Sequence, residues 1–550
     1  MSSRYLGFAI LSVFALALVP ARGHGQAPSY NKEAVKKLSK QIDAHLAKVW
    51  KKTNVTPEPK ADDYVFLRRL NLDLVGRIPK LQYITDFMDD DRADKRWIWV
   101  DRLLDDTENA RPAHFANMWR AIMLGNQTNQ QFQFLMPQFE TWLRERVEKN
   151  VPLDKMVQEL LGTSQQDPNM AFANFRGGGQ QPGSPQLFFL ANENKAENLA
   201  GASSRVFLGV KIECAQCHAH PFASWSKDQF WEFAAFFSAP PPQAMRRLPG
   251  LAVPMQPKPG FEPGREIKIP GTDKIVKAKF LNGEAPKWEG PGYSRKTLTD
   301  WMTSPKNPYF AKAMADHIWS YLMGVSLLEP IMEPSDDSPI THPELLNDLA
   351  KGLVDNNFDA KFLIRAIVHS DAYQRSSGGK KLADKEDYHL FVRMPMRALS
   401  PEQIYDSIWV ATKNSEEKEP IESPNQFNPF QGNSPRAQFM AKFMNQDRRH
   451  EPQTSILQAL FMMNGKFMAE KTKVDSSENL QAIVNCMYPD GNRGRVMTMY
   501  RLILSRVPRP EETLRLGRYL DQKAADGQLA QGVSDVYWTL LNSAEFLHNH

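Results

Sequence analysis

The sequence predicts a mainly α-helical protein in which two helical domains are separated by a small β insert. Apolar residues recur at spacings of three and four along most of the 550-residue chain, which is typical of amphipathic helices. A stretch rich in proline and glycine, residues 239–293, interrupts this pattern and contains two short segments that alternate with period two. We therefore expect one helical domain at residues 28–238, the β insert at 239–293 and a second helical domain at 294–550.

Residues 1–27 have the composition of a secretory signal peptide. Arg4 provides a positive start, residues 6–19 form a nearly continuous apolar run, and small residues follow at Ala21, Gly23, Gly25 and Ala27. An apolar run of about 14 residues is too short to span a bilayer comfortably. We therefore expect an exported protein, periplasmic or extracellular, with no stable membrane span after the signal peptide is cleaved.

Seven amphipathic helices are expected before residue 162. The first is the clearest, because its apolar residues from Val35 to Val49 lie on one helical face. Ser164–Ser184 is rich in Gln, Asn, Gly and Pro, which predicts a mobile surface loop. The expected helices are Asn31–Trp50, Tyr64–Leu74, Leu81–Met88, Arg92–Leu104, Arg111–Leu124, Phe139–Lys149 and Leu153–Leu161.

A further helix, Glu197–Ile212, is expected to lead the chain into Cys214. The segment Asp228–Phe237 then carries five aromatic residues within eight positions, which is more than one helix face needs. Two interpretations are open: the rings wall a porphyrin, or they form ordinary core. The five residues are Phe230, Trp231, Phe233, Phe236 and Phe237.

Local signals also predict the β insert and the later helices. Arg265–Ile269 and Lys274–Phe280 alternate with period two on either side of a turn, which predicts a β-hairpin. Thr341–Glu344 and Ser400–Gln403 both have the composition of a capping box at a helix start. The other expected elements are helices at Thr297–Met302, Pro308–Met323, Glu344–Asn356, Ser455–Met463, Asn492–Ser505, Pro510–Asp526 and Ser534–Leu547, and a polar loop at Lys413–Pro452.

Two of the three cysteines stand in the run Cys214-Ala215-Gln216-Cys217-His218. Cys-x-x-Cys-His is the pattern by which haem c is attached. The two thiols add to the two vinyl groups of one porphyrin, and His218 then lies beneath the iron as its proximal ligand. Three alternatives stay open: a disulfide between the cysteines, a tetrahedral zinc site that includes His220, and two free thiols.

Two further histidines are candidate metal ligands. His220 lies only two residues from His218, so we expect it to hydrogen-bond near the iron, or to bind zinc, without reaching the opposite haem face. His114, on the predicted Arg111–Leu124 helix, is a candidate distal donor. Without a distal ligand, the iron would be open to small molecules.

Composition and missing motifs argue against several classes of protein. The net charge of +5 is small and the charges are interspersed, so the chain lacks the extended basic stripe that nucleic-acid binding requires. Three cysteines do not make a disulfide framework, and the apolar neighbours of Cys486 predict a buried thiol. The chain has no Gly-x-Ser-x-Gly or His-Glu-x-x-His motif, although a glycoside hydrolase with widely spaced carboxylates stays open.

Seven segments carry a resemblance to a known family. They are Arg69–Gly76, Val100–Leu104, Glu197–Gly201, Phe207–Phe222, Ser304–Pro308, His342–Leu346 and Leu541–Phe546, with Phe207–Phe222 the strongest. In these segments the chain resembles the exported planctomycete cytochrome-like proteins, which join an amino-terminal cytochrome-like domain of unknown function to a carboxy-terminal domain of unknown function. The resemblance covers nearly all of the mature chain and implies a haem at the Cys-x-x-Cys-His run. The chain departs from the family at Ala219, where the family usually has an acidic residue.

These observations predict an exported c-type haem protein that acts in electron transfer or as a redox partner. Its own partner would be an unknown exported redox or scaffold protein, and nucleic acid is not expected. The first alternative is a secreted binding or scaffold protein that is stabilised by zinc or carries free thiols. The second alternative is a secreted hydrolase of unknown substrate, so the sequence leaves open whether the protein is an enzyme.

Overall fold

The protein is mainly α-helical with a small β insert, as the sequence predicts. The computed structural model describes residues 30–105, 110–125, 136–162, 183–218, 225–238, 245–248, 251–254, 264–288, 295–328, 341–378, 385–413, 436, 439–440, 462–463 and 465–550. The predicted signal peptide lies outside the described residues, and so does nearly all of Ser164–Ser184, Lys413–Pro452 and Ser455–Met463. Among the described residues, no helix is both long enough and apolar enough to cross a membrane.

Ten helices precede the β insert in the described part of the chain. The seven that the sequence predicts before residue 162 are all present. Gln186–Ala191 is a short buried helix that the sequence analysis missed. The helices are α1 Lys32–Thr53, α2 Asp63–Leu74, α3 Leu81–Met88, α4 Lys95–Asp105, α5 Ala110–Leu124, α6 Met136–Glu148, α7 Leu153–Gly162, α8 Gln186–Ala191, α9 Ala196–Ser203 and α10 Lys227–Ala234.

Three antiparallel strand pairs occur among the described residues. Met245–Leu248 (β1) pairs with Leu251–Pro254 (β2), and the predicted hairpin forms between Glu266–Lys268 (β3) and Ile275–Lys277 (β4). The third pair, Arg397–Ala398 (β5) with His548–Asn549 (β6), joins residues about 150 positions apart. Alternation in one strand cannot reveal such a distant partner.

The second half of the chain adds ten more helices to the described structure. They are α11 Lys296–Met302, α12 Phe310–Met323, α13 Pro343–Asp355, α14 Ala360–Val368, α15 Pro401–Thr412, α16 Lys466–Lys471, α17 Glu478–Asn485, α18 Asn492–Leu504, α19 Pro510–Ala525 and α20 Leu529–Leu541. The sequence analysis missed α14, α16 and α17. Helix α14 has only nine residues and seven of them are buried, so its two polar residues, Lys361 and Arg365, give only a short pattern.

Two of the local predictions at helix ends have different outcomes. At Ser400 the capping box forms, with the hydroxyl accepting from the Gln403 N–H and the Gln403 side chain accepting from the Ser400 N–H. The capping box predicted at Thr341 is wrong, because His342 is the N-cap residue there and makes no side-chain cap bond. The Thr341 N–H instead donates to the Leu327 carbonyl, so a tertiary contact has displaced the local one.

Cys486 is exposed, so the prediction of a buried thiol is wrong. It caps the C-terminus of α17, where the chain leaves the helix in an extended conformation. The apolar neighbour Ile483 is buried, but it lies one turn earlier on the inner face of the helix. Apolar neighbours in sequence therefore did not bury this side chain.

Buried side chains form two apolar clusters. The larger cluster contains residues from Val35 to Met394 and so extends across the β insert. The smaller cluster contains residues from Leu399 to Phe546, together with Leu72 of α2 and Ile78 just after it. Since Leu70 and Leu74 of α2 belong to the larger cluster, this one helix contributes to both.

Candidate functional site

The Cys-x-x-Cys-His run is reached through a change of helix type. The predicted helix Glu197–Ile212 is wrong at its C-terminal end, because α9 stops at Ser203 and continues as a π-helix, Ser204–Leu208. The π-helix ends at Gly209, whose φ of 66° lies in the left-handed region that favours glycine. A Cβ atom there would also lie 3.1 Å from Leu328 Cδ2. Close packing therefore terminates the helix before the cysteines.

A buried histidine of another helix also contacts the π-helix. His317 of α12 places its Nε2 2.8 Å from the Val206 carbonyl oxygen. A π-helix is rare in proteins and occurs mostly as a single turn, often beside functional sites. Here it redirects the chain so that Ile212 returns to the core immediately before the motif.

The motif itself lies on a short 3₁₀ helix, Glu213–Gln216. Cys214 lies within this helix and Cys217 is its C-cap residue, so one turn of 3₁₀ helix separates the two cysteines. Ala215, between them, is completely buried, whereas both cysteines and His218 are exposed. The turn therefore presents two thiols and an imidazole outward while its inner residue anchors it to the core.

All three cysteines are free thiols in this structure. An exposed, unlinked pair of thiols next to an exposed imidazole is the donor set that covalent haem attachment requires, so these residues fit the group. No group of three or more His, Cys, Asp or Glu side chains among the described residues is arranged to hold a metal ion. The zinc alternative therefore depends on His220, which lies outside the described residues.

Helix α10 supports the carboxyl end of the motif turn. The indole N–H of Trp231 donates to the Gln216 carbonyl oxygen at 3.0 Å. The last carbonyls of a helix lack partners within it, and this side chain supplies one. Helix α10 is itself capped by Ser226 and Gln229, each of which accepts a bond from the other's backbone N–H.

Glu213 supports the amino end of the turn. It forms an ion pair with Arg205 of the π-helix and packs against α9, where a Cβ on Gly201 would lie 2.6 Å from Glu213 Cγ. Burial raises the pKa of Glu213, although Arg205 opposes the rise. Its Oε2 atom is buried and has no hydrogen-bond partner among the described residues. The carboxyl group thus lies between α9 and the first cysteine with one acceptor position still unused.

His114 lies in the interior rather than on an open surface. Its Nε2 atom is 3.1 Å from the Asp73 carbonyl oxygen and also contacts the Tyr321 hydroxyl. A Cβ on Gly76 would lie 2.3 Å from its Nδ1 atom. These contacts are with α2, the turn after it and α12, not with the motif turn. A distal role for His114 stays a prediction.

The five aromatic residues of Asp228–Phe237 are all buried in the larger apolar cluster. Phe236 stacks on Phe280 with ring centroids 5.3 Å apart, and Phe280 stacks on Trp301 at 4.7 Å. These contacts join the short 3₁₀ segment after α10, Ala235–Phe237, to the β insert and to α11. The structure therefore gives these rings the ordinary core role, and Trp231 is the one with a hydrogen bond to the motif turn.

Sequence reasoning located the motif but missed its supports. Trp231 was visible only as one of five aromatics, and nothing in its local pattern singled it out. Arg205 and Glu213 are eight residues apart, about 12 Å along a regular helix, and they meet because the π-helix and Gly209 turn the chain back. Two glycines inside the predicted helix, Gly201 and Gly209, were the available signals of close packing.

The fold and the site define a mainly α-helical protein that presents an exposed dithiol and imidazole on a 3₁₀ turn. Comparison with known families places two matches on the chain. Residues 41–240 match the family model "PSCyt2: Protein of unknown function (DUF1549)", and residues 294–450 match "PSD1: Protein of unknown function (DUF1553)". The first match includes the whole motif turn together with α9 and α10. Searches of curated proteins and of solved structures each returned no significant match.

Proposed function

We propose that the protein is an exported c-type haem protein that acts in electron transfer or as a redox partner. The observation that carries the proposal is the motif turn. Cys214 and Cys217 are free and exposed at the two ends of one 3₁₀ turn, and exposed His218 follows them directly. The resemblance of Phe207–Phe222 to cytochrome-like proteins also supports it, and this segment lies within residues 41–240, which match a family model of unknown function.

The residues of the turn have distinct roles in this proposal. Cys214 and Cys217 would hold the haem as thioethers, since addition of each S–H across one vinyl C=C bond needs no oxidant or reductant. His218 would bind the iron through a ring nitrogen. A bound haem supplies one-electron redox chemistry. Ala215 and Trp231 keep the turn attached to the core, while Arg205 and Glu213 hold its amino end.

Expression of the full chain in a host with an exported haem-ligation system tests the proposal. We expect a haem-stained band that survives denaturation, and a mass gain equal to one haem. Replacing both motif cysteines, C214S/C217S, should abolish the band because no thioether can form. C486S is the matched control, since Cys486 is also a free exposed thiol but has no histidine beside it, and it should retain full haem content.

Colourless wild-type protein from such a host would overturn the proposal. If that protein contained one equivalent of zinc, and chelation unfolded it, the alternative of a metal-stabilised scaffold would replace it. Equal haem content in wild type and C214S/C217S would show that any haem is bound elsewhere.

A further inference from the structure

We propose that Trp231 is a positioning residue of the dithiol site. Its hydrogen bond to the Gln216 carbonyl fixes the peptide before Cys217, and so fixes the position of Cys217 relative to Cys214. This role deepens the proposed function and rests on it, and its own evidence is the 3.0 Å hydrogen bond from the Trp231 indole N–H to the Gln216 carbonyl oxygen.

The hydrogen bond from Trp231 stabilises the C-terminal end of the motif turn, which has little stability of its own. A four-residue 3₁₀ helix has few internal hydrogen bonds and poor bond geometry, so it is marginal on its own. The Gln216 carbonyl belongs to the peptide unit that ends at the Cys217 nitrogen. Its orientation therefore sets the backbone of Cys217, and through it the direction of the thiol. The completely buried Ala215 anchors the turn before this peptide, so the Trp231 bond is a second, independent anchor.

Trp231 is suited to this role because it cannot move easily. Its side chain is buried, and its ring meets Phe230 edge-on with centroids 5.3 Å apart. The helix that carries it begins with a reciprocal capping box. Because the donor is fixed, the bond orients the peptide and not the reverse. A prepositioned pair of thiols reacts with one acceptor at a lower entropic cost than a mobile pair.

The inference predicts how tightly the apoprotein binds a reagent that needs both thiols. Phenylarsine oxide is such a probe: its arsenic forms two As–S bonds, the As=O oxygen leaves as water with the two thiol protons, and no oxidation occurs. The affinity of the reduced full-length protein is measured by displacement with a small dithiol. C486S is the background, so that only the motif thiols react.

In this background, W231F should bind phenylarsine oxide about fivefold more weakly than its parent, because one neutral hydrogen bond is lost. W50F is the matched control: Trp50 is also buried and its indole N–H also donates to a backbone carbonyl, that of Leu390 at 2.6 Å. It lies in α1, away from the turn, and should leave the affinity unchanged. W231H keeps a ring N–H donor and should recover part of the affinity.

Equal affinities for W231F and W50F would overturn the inference. If W231F shows no cooperative unfolding transition, it is not folded, and the test then uses W231H. A W231H affinity for phenylarsine oxide within threefold of the parent supports the positioning role, and any weaker affinity overturns it. These outcomes are separate from haem binding. If the wild type lacks haem but W231F binds phenylarsine oxide more weakly, only the proposed function is wrong. If the wild type carries haem but W231F binds phenylarsine oxide normally, only the positioning role of Trp231 is wrong.

Discussion

At the scale of single residues, Asp73 shows what Arg69–Gly76, one of the segments that carry the family resemblance, contributes to the structure. It lies near the end of α2 with 1% of its surface exposed. Both of its carboxylate oxygens lie 2.9 Å from an Arg397 Nη atom, and it also accepts bonds from the Tyr373 hydroxyl and the Asn549 amide at 2.8 Å. Burial raises the pKa of Asp73, although Arg397, Tyr373 and Arg69 oppose the rise. The acidic residue of Arg69–Gly76 is therefore a structural anchor.

Removing the Asp73 charge should destabilise the protein strongly. We expect D73N to lower the free energy of unfolding by about 3–5 kcal/mol, because Arg397 would stay buried without its counter-ion. Denaturant unfolding of the apoprotein measures the change. D300N is the control, since the Lys296–Asp300 pair is exposed on one helix and should contribute less than about 1 kcal/mol. Similar losses in D73N and D300N would contradict this account.

At the scale of elements, the contact between α12 and the π-helix determines where the motif turn begins. His317 is buried, and its ring bonds the Val206 carbonyl in the part of the chain where α9 changes helix type. Burial lowers the pKa of His317 to about 4, although the bond to Val206 opposes this shift. The imidazole is therefore neutral in the folded protein at neutral pH, and its N–H serves the π-helix.

This contact should make stability sensitive to acid. Below about pH 6.5 the unfolded chain binds a proton at this histidine, but the folded protein does not until about pH 4. Stability should therefore fall as pH falls from 6.5 to 4, by about 3 kcal/mol from this group. H317Q keeps an amide donor that does not titrate, so its stability should vary less over the same range. Chemical unfolding at several pH values measures both proteins, and parallel curves would exclude the effect.

At the scale of the whole molecule, α2 joins regions that are far apart in the chain. Arg68 donates to the Ile503 and Phe546 carbonyls at 3.1 and 3.0 Å, and Arg69 bonds the Tyr373 carbonyl at 2.5 Å. The same helix places Leu70 in the larger apolar cluster and Leu72 in the smaller one. Neither cluster is complete without this helix, so the two should be coupled in folding.

We therefore expect a single unfolding transition for the apoprotein. Most of the buried tryptophans belong to the larger cluster, so intrinsic fluorescence reports on that region. A dye on exposed Cys486, in the C214S/C217S background, reports on the region of the smaller cluster. The two signals should give the same urea midpoint. Two midpoints that differ by more than their error would show that the clusters unfold independently.

Local and non-local features differ in how far the sequence could predict them. Helices with one polar face, such as α1, follow from the spacing of their apolar residues, and the Ser400 capping box follows from four adjacent residues. Helix α14 gives only a short pattern because it spans nine residues, and the pairing of β5 with β6 has no local signal. The capping box at Thr341 failed because a backbone bond to Leu327 was available instead. Local sequence therefore favours particular helices, caps and strands, but tertiary packing determines which of them form.

The sequence by itself determined the helical fold class and the order of Cys214, Cys217 and His218, because periodicity and covalent spacing are local properties. Only the tertiary structure decided that α9 changes to a π-helix, that the motif occupies a 3₁₀ turn with both thiols outward, and that Trp231 and Arg205 support it. The physical reason is that each of these depends on contacts with His317, Leu328 or α10. Such contacts form between residues that the linear order does not bring together.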